Sequence, residues 1–386
     1  MFVDINHCQE KKHGQNAFGD YFVSQRHVKE GRLLAVLSDG LGSGIKASIM
    51  ARMTATMLLG FIKEDMDVRK AASIVMGTLP VCQQRGLSYA TFSLVDCDED
   101  GRVRVLEEGN PDFIWLRGNR PLQAPYDYLE YKRFPDRSPK YYEFEAIEGD
   151  RLVFVSDGVT QAGMGLPGPN HSGLGRNGLQ EFLKTRLDRQ YTLDSARLSS
   201  QVVDLALKLS PQRQPVDDIT AAVVHFRDPR RCVVFTGPPF EKRRDSYYAE
   251  AFDCFKGRKA ICGGTTANFL ARELKRKLRV GSERRGGIPP LSFMDGVDLV
   301  TEGLLTLTRA VRYLETEDLG QADAAGSLAR FLLGNDIIHF MEGTGVNLAN
   351  FDPAQAIDFD IRRNIVKKLG DILEGKYLRK VRIQRV

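Results

Sequence analysis

The sequence predicts an α+β fold for residues 1–228 and an α/β fold with a largely parallel sheet for residues 229–386. Three observations carry this reading. In the first part, runs of β-branched and aromatic residues are interrupted by helices without strict alternation, which suits helices layered on antiparallel sheets. In the second part, short apolar runs alternate with helical stretches, the pattern of a doubly wound sheet. Between them, Arg227-Asp228-Pro229-Arg230-Arg231 is short, polar and broken by proline. A chain of 386 residues has room for two such domains.

In order, residues 17–27 and 32–38 read as strands joined through Lys29-Glu30-Gly31, and 43–62 as a long, mostly apolar helix. A second helix follows at 67–79. Strands are expected at 89–97, 102–108, 113–117, 141–147 and 151–156, with Asp98-Glu99-Asp100-Gly101 as a hairpin turn. Helices at 176–187 and 194–209 and a strand at 218–226 complete the first domain. The second has strands at 232–237, 259–264, 297–303, 336–342 and 378–386. Its helices fall at 241–255, 265–278, up to about 315, and 361–374. The glycine-rich 163–178 and the Gly/Pro/Arg-rich 280–292 lack periodicity and read as loops.

Composition excludes several classes. Hydrophobic residues are 42% and charged residues 27%, as in ordinary globular proteins. A net charge of +5 is too weak to argue for nucleic acid, and the basic stretches are interleaved with acids without a stacking platform. No run approaches about 18 apolar residues, so no membrane span is expected. The N-terminal MFVDINHCQEKKHG lacks the apolar core of a signal peptide. Cys8, Cys82, Cys97, Cys232, Cys254 and Cys262 form no Cys-x-x-Cys pair, so reduced core thiols and a cytoplasmic location are expected.

Chemistry concentrates in four acidic motifs. They are Phe18-Gly19-Asp20-Tyr21, Ser38-Asp39-Gly40-Leu41-Gly42-Ser43-Gly44, Ser156-Asp157-Gly158-Val159, and Asp217-Asp218-Ile219-Thr220. One Asp-Gly is usually a turn. Here Asp39 and Asp157 each follow an apolar strand, and all four motifs are expected at strand ends. Carboxylates gathered there repel unless a cation lies among them, and oxygen ligands select Mg²⁺, Mn²⁺ or Ca²⁺ over zinc.

These four motifs, in this order, resemble the type 2C metal-dependent protein phosphatase (PPM) family, and its SpoIIE-like bacterial serine phosphatase branch most closely. The resemblance covers about residues 3–226, with EEGNPDFIWLR fitting the strand pair between the motifs. It implies a β-sandwich flanked by helices and a site for two Mn or Mg ions. Asp39 would bridge the ions, Asp157 and Asp217 would complete one, and Asp20 and the Gly40 carbonyl would face the other. Asp218 would be a ligand or a neighbour of one. Two such ions lower the pKa of a bridging water and neutralise phosphate oxygens. The implied substrate is phosphoserine or phosphothreonine on a small regulatory protein, such as an anti-sigma-factor antagonist. In this branch, the helices corresponding to 43–79 carry regulatory movement. The early phosphate-holding arginine of eukaryotic type 2C enzymes has no counterpart here; Lys11, Lys12 and His13 lie near that region and read as solvated surface.

No resemblance covers the second domain. Gly263-Gly264-Thr265-Thr266 stands between a strand and a helix, so it reads either as a glycine turn with a threonine N-cap or as an anion site built of free N–H groups. Thr301-Glu302-Gly303 and Thr236-Gly237-Pro238-Pro239 occupy comparable strand ends, and together they would hold a small anionic ligand. The expectation is a phosphatase gated by this domain. The competing readings are a scaffold that keeps the fold without turnover, and a small-molecule enzyme centred on the second domain.

Overall fold

The computed structural model of the chain describes every residue except 29, 43, 79–89, 132–136, 169, 282–286 and 346–352, and no side chains for 353–359. Cys82, the end of the helix expected at 67–79 and the middle of the loop at 280–292 lie outside the described residues. The chain divides into two compact units, Met1–Asp228 and Pro229–Val386.

Unit 1 begins β1 (Phe2–Glu10), β2 (Asp20–His27), β3 (Arg32–Gly40), α1 (Ile45–Lys63), α2 (Val68–Thr78), β4 (Ala90–Asp98) and β5 (Arg102–Glu108). It continues β6 (Ile114–Arg117), β7 (Arg120–Leu122), β8 (Tyr126–Tyr128), β9 (Lys140–Glu145), β10 (Asp150–Val155), α3 (Asp157–Thr160), α4 (Gly175–Arg189), α5 (Ser195–Leu209) and β11 (Ile219–Arg227). Two antiparallel sheets result, ordered β1-β11-β10-β6-β7 and β2-β3-β4-β5-β9-β8. They face each other through aromatic contacts. Trp115 of the first stacks on Phe144 of the second at 4.3 Å, and Phe113 packs between Phe154 and Tyr142.

Helices cover both outer faces. Leu58 and Ile62 of α1 and Val75 of α2 join Leu34, Val36, Phe92 and Leu94 in one core. Leu183 of α4 and Leu198 and Val202 of α5 join Val153 and Val223 in another. Strands covered on both faces, such as β3 and β10, therefore carry continuous apolar runs, Leu33–Leu37 and Leu152–Val155, rather than alternating. Strand β1 escapes the sequence reading because Asp4 and Asn6 interrupt it. Asp4 is buried nonetheless, accepting from Ser195 Oγ at 2.7 Å and pairing with Arg227 at 3.4 Å.

Helix α1 corrects one expectation. It is 19 residues long and contains an 18-residue window with a mean hydropathy of 1.3, enough to cross a membrane by length and composition. In this fold Ala47, Ala51, Ala55, Leu58 and Ile62 are instead buried on one side of it, in the core of the unit.

Unit 2 comprises β12 (Arg231–Thr236), α6 (Asp245–Asp253), β13 (Arg258–Cys262), α7 (Gly264–Glu273), β14 (Leu278–Val280), β15 (Ser292–Met294) and β16 (Leu299–Thr301). Then come α8 (Leu304–Thr316), α9 (Ala324–Leu333), β17 (Ile337–Glu342), α10 (Pro353–Gly375) and β18 (Lys380–Arg385). The sheet order is β14-β15-β16-β13-β12-β17-β18. The pairs from β16 to β18 are parallel, as expected, and β14 and β15 form an antiparallel edge that the sequence reading did not separate. Helices α6 and α7 pack on one face with Val233, Phe235 and Ile261. Helices α8, α9 and α10 pack on the other with Val234, Ala260 and Phe340.

Candidate functional site

All four acidic motifs reach one edge of the unit 1 sandwich, though not as four strand ends. Asp39 closes β3 and Asp157 follows β10, whereas Asp20 opens β2 and Asp217 and Asp218 immediately precede β11. Antiparallel pairing accounts for the difference, since the start of one strand lies beside the end of its neighbour. Asp20 and Asp39 are directly opposite in the β2–β3 register, where like charges destabilise the pair.

The carboxyls respond to one another. Burial first, and then Asp20, Asp157, Asp217 and Asp218, push Asp39 up to about 9. Burial pushes Asp20 up to about 7, with Asp218 and Asp157 adding to the rise, while hydrogen bonds from Thr220 and Ser156 oppose it. Asp217 is also raised, by burial and by Asp157.

Asp218 differs from the rest. Its two oxygens accept from the Lys12 N–H at 3.1 Å and the Gly19 N–H at 2.9 Å. Standing just ahead of β11 in one sheet, it thereby anchors the segment leading to β2 in the other. Asp217 accepts only from the neighbouring N–H of Asp218, with Lys12 Nζ at 4.0 Å. Lys12, expected on solvated surface, is therefore half-buried at the rim of the cluster.

The glycines of the second motif set the approach of α1. Gly42 and Gly44 have φ of 99° and 75°, a region that favours glycine, and so allow the turn from β3 into the helix. At Gly40 a Cβ would fall 2.1 Å from the Ala47 carbonyl oxygen, so α1 lies directly against the residue after Asp39. Gly40→Ala should cost about 1–3 kcal/mol through overpacking. It should also lower any activity of the cluster; urea unfolding of the variant measures the first effect.

Beside Asp157 opens a cavity of about 480 Å³ lined by Asn110, Asp112, Thr160, Gln161 and Arg176. Arg176, near the start of α4, is half-buried and donates to the Asp112 carbonyl. Gln161 Nε2 donates to Asp157 at 2.8 Å. Asn110 is held by Ser93 and the Leu37 carbonyl. These residues were not singled out in the sequence; Asn110 lies within the EEGNPD stretch that carried the family resemblance, and Arg176 had no signal.

Donor chemistry fits hard cations. Asp20, Asp39, Asp157 and Asp217 offer only oxygen. Among the described residues, no three Asp, Glu, His or Cys side chains already converge as a chelate. What the cluster does show is that burial, with the neighbouring carboxylates adding to it, favours protons on Asp39 and Asp20.

In unit 2, the remaining expected residues also lie at strand ends. Gly263 precedes α7 with φ of 131°, Gly264, Thr265 and Thr266 form its first turn, Thr301 ends β16, and Glu302 stands between β16 and α8. The helix is capped by Gly263 without a side-chain bond, so no threonine serves as N-cap. Thr266 is buried, and its Oγ1 accepts from the Gly237 N–H at 2.8 Å.

A family model described as Stage II sporulation protein E (SpoIIE) matches residues 29–227, more than half of the chain. Among solved structures, the PP2C phosphatase domain with a regulatory-domain fragment of SpoIIE from Bacillus subtilis is similar at 19% identity and a TM-score of 0.49. That match covers 58% of this chain and 62% of the other, less than two thirds of it. The RsbU and RsbW domains of a Mycobacterium tuberculosis protein match at 18% identity and a TM-score of 0.46, over 65% and 67% of the two chains. RsbX, solved in complex with magnesium, matches at 16% and 0.39, over 57% and 94%. No curated protein matches the chain. The family model, which spans Asp39, Asp157, Asp217 and Asp218, carries the assignment: the chain belongs to the SpoIIE family, the phosphatase branch that its acidic motifs resemble.

Proposed function

We propose that unit 1 is a Mn²⁺- or Mg²⁺-dependent protein serine/threonine phosphatase. The observation that carries this is the gathering of Asp20, Asp39, Asp157 and Asp217 at one edge of the sandwich, where burial first and the neighbouring carboxylates next raise Asp20, Asp39 and Asp217, in a chain of the SpoIIE family. Asp39 sits among the others and would be the shared ligand. Asp157 and Asp217 would hold one ion, and Asp20 and the Gly40 carbonyl would face the other. Two bound ions would supply an acidified water and charge neutralisation at a phosphoryl group. Asp218, with both oxygens on backbone N–H groups, fixes the frame around the ligands. Thr220 and Ser156 orient Asp20.

The cavity beside Asp157 receives the phosphorylated side chain and its flanking backbone. Arg176 is the cation that lines it and binds substrate there. The substrate is phosphoserine or phosphothreonine on a bacterial regulatory protein such as an anti-sigma-factor antagonist, and unit 2 regulates the reaction. A reducing cytoplasm suits the free thiols of Cys8, Cys97, Cys232, Cys254 and Cys262.

The test is hydrolysis by the full chain of phosphoseryl, phosphothreonyl and phosphotyrosyl peptides, with Mn²⁺ and with chelator. Metal-dependent release from the first two is expected, and no release from any peptide at saturating Mn²⁺ would sink the reading. Arg176→Ala should raise KM by about 10-fold while kcat moves by less than about 3-fold, because it removes a charge-assisted contact rather than the reacting centre.

A further inference from the structure

Among the parallel strands of unit 2 the order is β16-β13-β12-β17-β18. The chain adds β13 and β16 on one side of β12, then β17 and β18 on the other. The winding therefore reverses between β12 and β17. Helix α6, which follows β12, packs on one face, and α10, which follows β17, packs on the opposite face. Open α/β sheets bind their ligands outside the carboxyl ends of the strands at such a reversal.

The residues at this edge are polar and buried. Thr236 is opposite Glu342 on one side and Cys262 on the other, and Cys262 is opposite Thr301. Thr236 is fully buried, and Glu342 is 1% exposed. Among the described residues, Thr236 Oγ1 and Glu342 Oε1 have no hydrogen-bond partner, nor does Oγ1 of fully buried Thr306 in the first turn of α8. The nearest cation to the second Glu342 oxygen among them is Arg385 Nε at 3.8 Å. Buried polar atoms without partners are rare, and each is costly. Burial pushes Glu342 up, while Arg385, Arg363 and Arg362 pull it down.

Two helix starts meet at the same edge. α7 and α8 are capped by Gly263 and Gly303 without side-chain bonds. Their first intrahelical bonds are Ala267 N–H to Gly263 O and Leu307 N–H to Gly303 O, so the preceding N–H groups have no helical acceptor. A Cβ on Gly303 would lie 3.5 Å from Gly263 Cα, so the two turns touch. Gly264 is half-buried and Thr265 exposed, so this end is open to solvent. Glu302 lies over the turn, 3.7 Å from where a Gly264 Cβ would be, and it is an exposed side chain that a ligand can displace.

We propose that this edge of unit 2 binds a small phosphate ester with free hydroxyl groups, a nucleoside or sugar phosphate. Its phosphate lies on the N–H groups of α7 and α8, and its hydroxyls donate to Glu342 and Thr236. Helix N-termini favour phosphate, and a buried carboxylate favours hydroxyl donors. The span suits the ligand. From β13 to β17 is two strand spacings, about 10 Å, the reach of a nucleoside or sugar phosphate and more than inorganic phosphate can bridge.

The test is calorimetric titration of AMP, GMP, CMP, ribose 5-phosphate, glucose 6-phosphate and inorganic phosphate into the full chain in chelator. An Asp39→Asn background prevents hydrolysis. At least one ester should saturate, about 10-fold or more tighter than inorganic phosphate. Whether nucleotides or sugar phosphates bind identifies the source of the ester. Thr236→Val and Glu342→Gln should each weaken it by about 10-fold or more, since each removes a hydrogen bond made only by the ligand. Thr236→Val should also raise the melting temperature, because it replaces an unpartnered buried hydroxyl with a methyl group. Gly264→Val, at a half-buried position with space for a Cβ, should block the phosphate without unfolding the unit. The proposal fails if no ester saturates at about millimolar concentration. It also fails if inorganic phosphate binds as tightly as every ester, or if the folded variants bind like the parent chain.

Discussion

Asp39→Asn is expected to lower Mn²⁺-dependent hydrolysis by roughly three orders of magnitude, since the shared ligand of two ions cannot be replaced by an amide of lower charge. The same change should leave the metal-free fold at least as stable as the parent. Asp39 faces Asp20 across the β2–β3 pair and is repelled by Asp157, Asp217 and Asp218. A neutral side chain of the same shape removes that repulsion. Steady-state kinetics at saturating Mn²⁺ and urea unfolding in chelator read the two effects separately. Lost turnover with intact stability is the signature of a functional charge. Retained turnover would place the reaction elsewhere.

The second large effect is the coupling of metal, pH and stability. Without metal, Asp20 and Asp39 ionise near 7 and 9 in the folded chain. In the unfolded chain they ionise near the ordinary aspartate value of about 3.9. Between about pH 4 and 9, then, the folded state holds more protons than the unfolded state, and stability falls as pH rises. The melting temperature of unit 1 in chelator should drop between about pH 5.5 and 8.5. Mn²⁺ at about 100 times its dissociation constant should add about 2.7 kcal/mol, roughly 5–10 °C for a domain of this size. The gain should be larger at high pH, where the carboxyls have already lost the protons that compete with the metal. In a chain carrying Asp39→Asn and Asp157→Asn it should vanish. An equal gain there would mean that Mn²⁺ acts at unrelated sites.

Much of this was legible in the sequence, for identifiable reasons. Strands such as β3 and β10 are buried on both faces, so their apolar runs are continuous and unambiguous. The acidic motifs were legible because Gly follows Asp at 39 and 157 and marks an abrupt exit from a strand. What the sequence hid was non-local. Asp4 makes β1 look polar until Ser195 and Arg227 arrive from the far end of the unit. Lys12 looks like surface until Asp218, more than two hundred residues later, takes its N–H. That same bond, with the one from Gly19, gives Asp218 surroundings different from those of Asp217, a difference that adjacency in the sequence does not show. Arg176 is one arginine among many until α4 brings it beside Asp157. In unit 2, the turn at 263–266 was visible, but Glu342 lies in an apolar strand. What marks it out is its place opposite Thr236, with an oxygen that has no hydrogen-bond partner among the described residues.

As proposed, the strand-edge carboxylates of unit 1 form a binding site for divalent cations. Titration calorimetry of Mn²⁺ into the full chain reads this without depending on the substrate. Saturable binding of two ions is expected, accompanied by proton release as the raised carboxyls ionise, with loss of that binding in Asp39→Asn. No saturable binding, or binding unchanged in Asp39→Asn, would contradict it.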